Sequence, residues 1–315
     1  MRILIATTQV PFISGGAEAL VRSFLDALTL CGHDADVFRL PYDGRSSAHV
    51  FDTMLAAQLI DLSSAFGDSI EHVDGMRFPA GYCANPRMRM WIIHKARSLF
   101  DLWDAPEAGR PGQAQAGALR EAAMTADRNA FAAAERLFTI SDVVTKRVRA
   151  STGLTARTLV PPPENAGRFH CAAAEPFIYF PSRLSGLKRQ DLALGALAAA
   201  PPHVRLVLAG APDNPAIEAR LRALAQQLDI DARVTFAGHV DLDAHVDLMA
   251  RCAAVLFPPF DEDLGYVTLE AMLAAKPVIT CVDSGGPLAF VVDGETGWIV
   301  APEATEIASA MAGAI

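Results

Sequence analysis

A chain of 315 residues is long enough for two domains, because single domains hold about 100–200 residues. Hydrophobic residues make up 51% of the chain and charged residues 20%, which excludes disordered and fibrous proteins and is ample for two buried cores. The formal net charge of −9 argues against a protein that holds nucleic-acid phosphates, so we expect no nucleic-acid partner.

The cysteines indicate neither a disulfide framework nor a metal site. There are five, and the two nearest in sequence, Cys252 and Cys281, are 29 residues apart, too far for a Cys-x-x-Cys knuckle. The amino terminus has one basic residue and an apolar run well below the roughly 7–15 residues of a secretory signal, and no later run approaches ~18. We therefore expect a cytoplasmic protein with no metal site.

The first half of the sequence alternates predicted strands with predicted helices. Residues 3–6 predict a buried strand, and after a glycine loop apolar residues recur at helical spacing from Leu20 to Leu28. A strand is predicted at 35–38, followed by a helix at 51–66 whose apolar face holds Phe51, Leu55, Leu59 and Leu62. The pattern continues with a strand at 91–93, a helix at about 118–136, a strand at 137–140 and a helix that Ser141 caps.

A break in the pattern divides the chain. Three prolines at 161–163 and the polar stretch that follows fit neither period and predict an extended connector, so we place domains at 1–163 and 176–315 with a linker at 164–175. Alternation then restarts, with strands predicted at 177–180, 204–209, 234–236, 253–257 and 277–280. This predicts an α/β protein of two Rossmann-like, doubly wound parallel-sheet domains, with a ligand in a cleft facing the carboxyl ends of the strands.

The most informative segment is FPPFDEDLGYVTLEAMLAAKPVITC at 257–281. Gly265 predicts a break between loop and helix, so Glu262 would lie in the loop and Glu270 one to two turns into the helix. The backbone N–H groups of residues 266–268 would then be unsatisfied at the helix N-terminus and suited to a phosphate. From spacing alone, the favoured interpretation is the simpler one, that the acidic residues complement the helix dipole.

This segment resembles the carboxyl-terminal domain of family 4 glycosyltransferases of the GT-B fold, whose signature has two glutamates separated by seven residues. Glu262 and Glu270 match those two positions. Three other stretches resemble motifs of the family and occur in the same order along the chain. They are GGAE at 15–18, SRLSGLKRQDL at 182–192 and DSGGPLAFVVDGETGWIV at 283–300. The resemblance covers most of the chain and implies two domains facing a central cleft, 1–163 on the acceptor side and 176–315 on the donor side.

The resemblance implies a nucleotide diphosphate sugar as donor. Arg183 and Lys188 flank the turn after a predicted strand, where two cations would neutralise the departing diphosphate, and the alternative is a pair of solvated cations. Arg189 beside them is interpreted as a solvated surface cation. In the family the second glutamate binds the ribose hydroxyls and the first contacts the donor sugar, roles implied here for Glu270 and Glu262. The remaining donor-binding residues implied are Gly16, Val240, Gly265, Tyr266 and Val267.

His94 directly follows a predicted buried strand in the stretch WIIHKARSLFDLW. The family has a histidine at a corresponding place close to the donor sugar, which implies that His94 joins Glu262, Arg183 and Lys188 as a catalytic residue. The alternative is a satisfied structural histidine. Three residues of the same stretch, Arg97, Asp101 and Trp103, resemble a bacterial subgroup of the family and receive no role.

Motifs of other enzyme classes are missing from the sequence. It has no phosphate-loop, zincin or α/β-hydrolase signature. The glycines at 15 and 16 are not a dinucleotide fingerprint, because Leu20 stands where the third glycine belongs, which disfavours a nicotinamide-dependent oxidoreductase. These glycines would instead let the first helix approach the diphosphate or the acceptor.

A basic stretch in the first half has two interpretations. It consists of Arg77, Arg87, Arg89, Lys95 and Arg97. One interpretation is contact with an anionic membrane surface or a lipid-linked acceptor, at the inner face of the membrane. The other, which the sequence favours, is a solvated surface with ordinary counter-charges.

Taken together, these features predict a metal-independent, retaining glycosyltransferase with no cofactor, which moves a sugar to a hydroxyl of a sugar, glycan or lipid-linked acceptor. The alternative is a nucleotide-sugar-binding protein of the same fold that no longer transfers. Asp263 and Leu264 replace the Gly and Phe more common in the family, so sugar recognition near Glu262 is expected to differ. Family members continue past a helix like 302–314 with further helices, which we expect this chain to lack.

Overall fold

The structure is a computed structural model that describes residues 1–11, 15–42, 47–65, 67–103 and 113–315. The chain divides into two compact units, Met1–Glu164 and Asn165–Ile315. The division falls one residue after the three consecutive prolines at 161–163. Each unit is an α/β domain built on a parallel sheet, as the alternation of strands and helices predicts.

The amino-terminal unit begins with a strand and a helix and repeats this alternation. Its elements are β1 Arg2–Gln9, α1 Gly16–Leu30, β2 Asp34–Pro41, α2 Ser47–Leu59, β3 Ser64–Ala65, β4 Asp68–Ser69, β5 His72–Gly75, β6 Met88–Ile92, α3 Gln113–Ala133, β7 Arg136–Thr139, α4 Asp142–Thr152 and β8 Arg157–Thr158. Within the described residues the main sheet has the order β2-β1-β5-β6-β7-β8 and is parallel throughout, and β3 and β4 form a separate antiparallel pair. The order reverses between β1 and β5, so loops after these two strands flank the switch point of the sheet.

Helix α2 turns a different face to the core from the one that the sequence predicts. Phe51, Leu55 and Leu59 are exposed, and the buried apolar side chains are those of Val50, Met54 and Ala57. The helix also ends at Leu59, whereas the predicted end, Phe66, lies outside the described residues. The prediction was wrong because apolar residues recur at helical spacing on both faces of this segment, and periodicity alone does not tell which one packs.

The carboxyl-terminal unit has the strand order of a doubly wound Rossmann sheet. Its elements are β9 Ile178–Pro181, α5 Gln190–Ala199, β10 Leu206–Ala209, α6 Pro215–Gln227, β11 Val234–Gly238, α7 Leu242–Arg251, β12 Ala254–Leu256, α8 Tyr266–Leu273, β13 Val278–Cys281, β14 Gly297–Val300 and α9 Ala304–Gly313. The sheet runs β11-β10-β9-β12-β13-β14, and every pairing is parallel. Counted within the unit this is the order 3-2-1-4-5-6, whose switch point lies between β9 and β12.

The core of this unit explains why its strands are easy to recognise in the sequence. The side chains of β9, β12 and β13 are buried along their whole length, because helices cover both faces of a parallel sheet. Large residues such as Phe180, Leu206 and Leu208 are almost completely buried, and each such burial contributes about 1.5–3 kcal/mol. A rigid sheet therefore supports the loops that follow β9 and β12.

Candidate functional site

Three loops of the carboxyl-terminal unit meet at the switch point of its sheet. They follow β9, β12 and β13, and backbone hydrogen bonds join them. Phe260 N–H donates to Leu187 O over 2.8 Å, which links the first loop to the second, and Glu262 N–H donates to Ser284 O over 2.9 Å, which links the second to the third. Residues that are far apart in the sequence are thereby held beside one another at the carboxyl ends of the central strands.

Two glycines allow these loops to approach closely. Gly285 has φ +73°, and a Cβ atom there would lie 2.5 Å from the Glu262 carbonyl oxygen. Gly265 has φ +82°, and its Cβ would lie 2.8 Å from the Phe257 ring. The left-handed backbone and the lack of space both require glycine, which gives a physical reason for these glycines in the two motifs.

Lys188 and Glu262, two predicted site residues, form an ion pair with each other. Lys188 Nζ lies 2.5 Å from Glu262 Oε2, and the two side chains are 16% and 21% exposed. The ammonium also lies 5.1 Å from the centroid of the Phe257 ring. Sequence reasoning assigned these residues to different ends of the donor, whereas in the structure each neutralises the other.

Arg183, the second predicted cation, has a different partner. Its Nη1 donates to Asp213 Oδ1 over 2.6 Å, and its side chain is 60% exposed. The loop between Arg183 and Lys188 is fixed by the buried side chain of Gln190, which donates to Arg183 O and accepts from Ser185 N–H. The structure thus holds both cations on one well-anchored loop but pairs them with separate carboxylates.

Arg189 is a structural cation that the sequence interpretation missed. Its guanidinium forms two hydrogen bonds with the Asp283 carboxylate, over 2.8 and 2.7 Å, and lies 4.9 Å from the Phe260 ring. Its side chain is only 16% exposed, so the interpretation as a solvated surface residue was wrong. The bidentate pair ties the loop after β9 to the loop after β13, and the signal for it in the sequence is the acidic residue that opens the DSGG motif.

Helix α8 begins at Tyr266, directly after Gly265, as the sequence predicts. Tyr266 and Val267 lie in its first turn, where backbone N–H groups suit an anion. Thr268 N–H, predicted to be unsatisfied, donates to Gly265 O over 2.9 Å, so that part of the prediction was wrong. The reason is a tight turn at the helix start, which uses one of the donors internally.

Glu270 lies in α8 and is hydrogen-bonded to a histidine that the sequence interpretation did not single out. His245 Nε2 lies 3.2 Å from Glu270 Oε2, and His245 Nδ1 lies 3.0 Å from the Tyr179 hydroxyl. His245 belongs to α7 and Tyr179 to β9. Nothing in the spacing of these residues signals the contact, because it depends on how two helices pack on the sheet.

Val240 is half-buried in the short loop between β11 and α7 and packs against the core. The neighbouring Asp241 caps α7, accepting from Ala244 N–H over 2.9 Å. Gly238, which ends β11, has φ +65° and turns the chain into this loop. The backbone around Val240 is therefore held between a strand end and a capped helix.

In the amino-terminal unit, a carboxylate occupies the start of α1. Gly15 N–H donates to Glu18 Oε2 over 2.9 Å, and Glu18 Oε1 pairs with Arg77 Nη1 over 2.5 Å. Gly16 is the first residue of the helix, and the sequence predicts that this helix N-terminus approaches the diphosphate or the acceptor. In the structure the Glu18 carboxylate lies at the same helix N-terminus. Arg77, which follows β5, links the two loops that flank the switch point of this sheet.

His94 follows β6 and is hydrogen-bonded through one of its two ring nitrogens. Its Nδ1 lies 2.7 Å from the Lys95 carbonyl oxygen, which only accepts, so Nδ1 carries the proton and Nε2 bears the lone pair. Burial lowers the pKa of His94 to about 4, so the ring is neutral at pH 7. The predicted catalytic role of His94 stays a prediction, now for a neutral imidazole with an Nε2 acceptor.

The basic stretch of the amino-terminal unit is largely paired within the unit. Arg89 forms two 2.7 Å hydrogen bonds with Asp74, and Lys95 Nζ lies 3.3 Å from Asp127 Oδ2 and 2.7 Å from Ser151 Oγ. Arg97 and Arg147 both approach Asp101, at 3.8 and 3.5 Å, and Arg120 lies 4.7 Å from the Trp103 ring. These pairs favour the interpretation as ordinary counter-charges, but a solvated surface was the wrong prediction for Lys95, whose side chain is 1% exposed. In the parts of the chain that the structure describes, no helix is long and apolar enough to cross a membrane.

Solved structures with the same two-unit architecture match nearly the whole chain. Anabaena HepE in complex with UDP and glucose aligns with a TM-score of 0.70, 20% identity and coverage of 99% of this chain and 89% of that one. Sucrose-phosphate synthase from Thermosynechococcus elongatus aligns with a TM-score of 0.78 at the same identity and coverage. The fold is GT-B.

Sequence comparisons agree with this GT-B assignment. Residues 168–315 match the family model described as glycosyl transferases group 1. The D-inositol 3-phosphate glycosyltransferase of Mycobacterium sp. (strain JLS) is 30% identical over 231 residues, which cover 70% of this chain and 52% of that protein. The mouse α-1,3/1,6-mannosyltransferase ALG2 is 34% identical over 113 residues, covering 34% of this chain and 27% of that protein. The chain thus spans about half the length of the mycobacterial relative.

The family match lies in the carboxyl-terminal unit, which holds most of the predicted site residues. Arg183, Lys188, Glu262 and Glu270 all fall within residues 168–315. Gly16 and His94 belong to the other unit. The carboxyl-terminal unit therefore brings together Lys188, Glu262 and the start of α8, and pairs Glu270 with His245.

Proposed function

We propose that this GT-B protein transfers a sugar from a nucleotide diphosphate sugar to a hydroxyl of an acceptor, with retention of configuration at the anomeric carbon. The observation that carries the proposal is the Lys188–Glu262 ion pair, beside the first turn of α8 at the switch point of the sheet. A cation, helix N–H donors and a carboxylate are the groups that a diphosphate joined to a sugar requires. The names of the sequence relatives and the UDP and glucose bound to HepE support the same class of ligand.

Donor binding would exchange the partners in the ion pair. Lys188 would leave Glu262 for the diphosphate, because a group with two negative phosphates offers more charge than one carboxylate. Glu262, released from Lys188, would accept hydrogen bonds from hydroxyls of the donor sugar. Arg183 would move from the exposed Asp213 to the same diphosphate. Glu270 would accept from the ribose hydroxyls, and the backbone near Val240 would contact the base.

The reaction proposed is same-face substitution at the anomeric carbon. The bond from this carbon to the diphosphate oxygen breaks, the acceptor oxygen bonds to the carbon on the same face, and the acceptor proton moves to the departing phosphate. The protein would contribute positioning and stabilisation of the leaving negative charge, since the substrate supplies its own base. Lys188 and Arg183 would supply that charge, so the proposal includes no metal and no cofactor.

We further propose that the acceptor is a sugar, a glycan or a lipid-linked glycan bound through the amino-terminal unit. Neutral His94, with its Nε2 acceptor, would contact a hydroxyl of the donor sugar. A cytoplasmic enzyme at the inner face of the membrane would meet a lipid-linked acceptor of this kind. These assignments rest on the family resemblance of residues 15–18 and of the stretch around His94.

The test is turnover with a panel of donors. UDP, GDP, ADP and dTDP sugars are incubated with candidate acceptors, release of nucleoside diphosphate is measured, and NMR of the product reports the anomeric configuration. Release that depends on the acceptor, with retention, supports the proposal. Binding of nucleotide sugars without turnover on any acceptor favours the non-transferring alternative, and an inverted product overturns the proposed stereochemistry.

A further inference from the structure

Tyr179, His245 and Glu270 form one hydrogen-bonded line across three elements. Tyr179 lies in β9, His245 in α7 and Glu270 in α8. The Tyr179 hydroxyl is 3.0 Å from His245 Nδ1, and His245 Nε2 is 3.2 Å from Glu270 Oε2. Both ring nitrogens are engaged, so the imidazole connects a core strand to a carboxylate that is 19% exposed.

The chemistry of the two ends fixes the protons in this line. A carboxylate only accepts, so His245 Nε2 carries a proton and donates to Glu270. Burial, with a further contribution from the Glu270 charge, raises the pKa of Tyr179 well above its ordinary value. The tyrosine hydroxyl therefore keeps its proton, and when the imidazole is neutral it donates to the lone pair of Nδ1, which holds His245 in one tautomer.

Aromatic packing fixes the orientation of the His245 ring as well. The Phe169 ring lies edge-on to it, with centroids 5.8 Å apart and planes at 86°, and the Tyr179 ring lies at the same centroid distance with planes at 46°. Rotation of the imidazole would break two hydrogen bonds and disturb both ring contacts. His245 is thus a rigid donor aimed at Glu270.

We propose that His245 is a positioning residue that orients the Glu270 carboxylate for the ribose hydroxyls of the nucleotide, a role that rests on the proposed donor site. A free glutamate side chain loses rotamer entropy when it is immobilised by a ligand, and a side chain held beforehand avoids that loss. The bond to Oε2 provides this hold. It leaves Oε1 and the second lone pair of Oε2 as acceptors for two adjacent hydroxyl groups.

The consequence is a preference for ribonucleotides. A carboxylate oriented to accept from ribose hydroxyls is left partly unpaired by a 2′-deoxynucleotide, and sites built to bind a hydroxyl reject analogues that lack it. The site therefore binds ribonucleoside diphosphates more tightly than their 2′-deoxy counterparts. The size of this preference depends on His245, although the side chain itself does not contact the nucleotide.

The test compares nucleotide pairs by titration calorimetry. UDP, GDP and ADP are each measured beside the 2′-deoxy form, on the wild type and on four variants. His245→Leu removes both hydrogen bonds, His245→Gln keeps an N–H donor at the position of Nε2, and Tyr179→Phe removes the hydroxyl that holds the ring. His203→Leu is the matched control, because His203 is exposed in the loop before β10.

We expect His245→Leu to lower the ribose preference by roughly tenfold, the lower end of the range for a hydrogen bond to a charged group. Tyr179→Phe lowers it less, His245→Gln restores most of it, and His203→Leu leaves it unchanged. A purely structural role for His245 would weaken the ribo and deoxy forms equally and leave the ratio intact. Thermal unfolding of each variant verifies that it is folded, and Tyr179→Phe decides the question if His245→Leu fails to fold.

The outcomes separate this inference from the proposed function. If the wild type binds none of the three diphosphates, the proposed donor site is wrong and the inference falls with it. If the wild type binds them but does not distinguish ribose from deoxyribose, the donor site stands and the inference is overturned. An unchanged ratio in both His245→Leu and Tyr179→Phe also overturns it.

Discussion

At the scale of single residues, the ion pair between Lys188 and Glu262 determines what each substitution does. Neither side chain is free to meet a ligand until the pair separates, since the two atoms are 2.5 Å apart. The free energy of diphosphate binding therefore includes the cost of separating Lys188 from Glu262. Removal of either partner changes that cost as well as the direct contact with the ligand.

We predict opposite effects of Lys188→Ala and Glu262→Gln on the affinity for bare nucleoside diphosphate. Lys188→Ala removes a charged contact and weakens binding by roughly 1.5–3 kcal/mol. Glu262→Gln leaves Lys188 without its carboxylate, so binding strengthens by about 0.5–1 kcal/mol, the scale of a partly exposed ion pair. Transfer should nevertheless be slower in Glu262→Gln, because the proposed contact to the donor sugar would matter most in the transition state.

Calorimetry and initial rates on the two variants provide the measurement. Glu218→Gln is a matched control for the loss of one negative charge, since Glu218 pairs with Arg222 on the surface of α6. If Glu262→Gln loses nucleotide affinity as strongly as Lys188→Ala while the saturated rate is unchanged, the assignment of the two residues along the donor is wrong.

The sequence singles out candidate site residues that lie in a local motif and misses contacts between residues that are distant in the chain. Lys188 and Glu262 belong to short patterns whose residue types match the chemistry. Arg189 and Asp283 are 94 residues apart, and His245 and Glu270 are 25 apart on different helices. Such pairs are created by tertiary packing, so residue types and spacing within one segment do not contain them.

At the scale of elements, the start of α8 depends on one glycine. Gly265 ends the loop that carries Glu262, and its backbone is left-handed at φ +82°. A side chain at this position faces both backbone strain and a collision with the Phe257 ring. The helix that carries Glu270 is therefore coupled to the loop through a residue with no side chain.

We predict that Gly265→Ala destabilises the protein by about 2–5 kcal/mol, the sum of about 1–2 kcal/mol for a left-handed alanine and about 1–3 kcal/mol for overpacking. Gly294→Ala is the matched control, because Gly294 has φ +76° but nothing within 4 Å of the added Cβ, so it keeps only the backbone term. Urea unfolding followed by circular dichroism measures both. Equal destabilisation by the two variants contradicts the collision with Phe257.

Most strands with continuous apolar runs were predicted from the sequence, and strands with a polar pattern were not. The strands β9, β10, β12 and β13 are continuous apolar segments and were found. Strand β5, with the sequence His-Val-Asp-Gly, was not predicted because aspartate is typical of loops. Asp74 is nevertheless buried, and Arg89 on the adjacent β6 neutralises its charge. A charged residue inside a sheet is recognisable only once its partner is known.

At the scale of the molecule, the carboxyl-terminal unit holds two cations, Arg183 and Lys188, near the switch point of its sheet in a chain of negative net charge. The formal net charge is −9, and a diphosphate carries negative charge of its own. The negative charge of the whole protein repels a diphosphate, so the proposed donor site must supply local cations and helix N–H donors that outweigh this repulsion. Lys188 and Arg183 lie on the same loop after β9, near the switch point of the sheet.

We predict that transfer by this protein survives excess EDTA and gains nothing from added magnesium or manganese. In the proposed mechanism, the charge developing on the leaving diphosphate would be met by Lys188 and Arg183, in the place that a divalent ion has in metal-dependent transferases. The measurement is the initial rate of nucleoside diphosphate release with chelator and then with each metal restored. Lys188→Ala should slow release to the same extent with and without metal. Loss of turnover on chelation, restored by manganese or magnesium, contradicts the proposed mechanism, because the cations of the loop would then be insufficient for the leaving group.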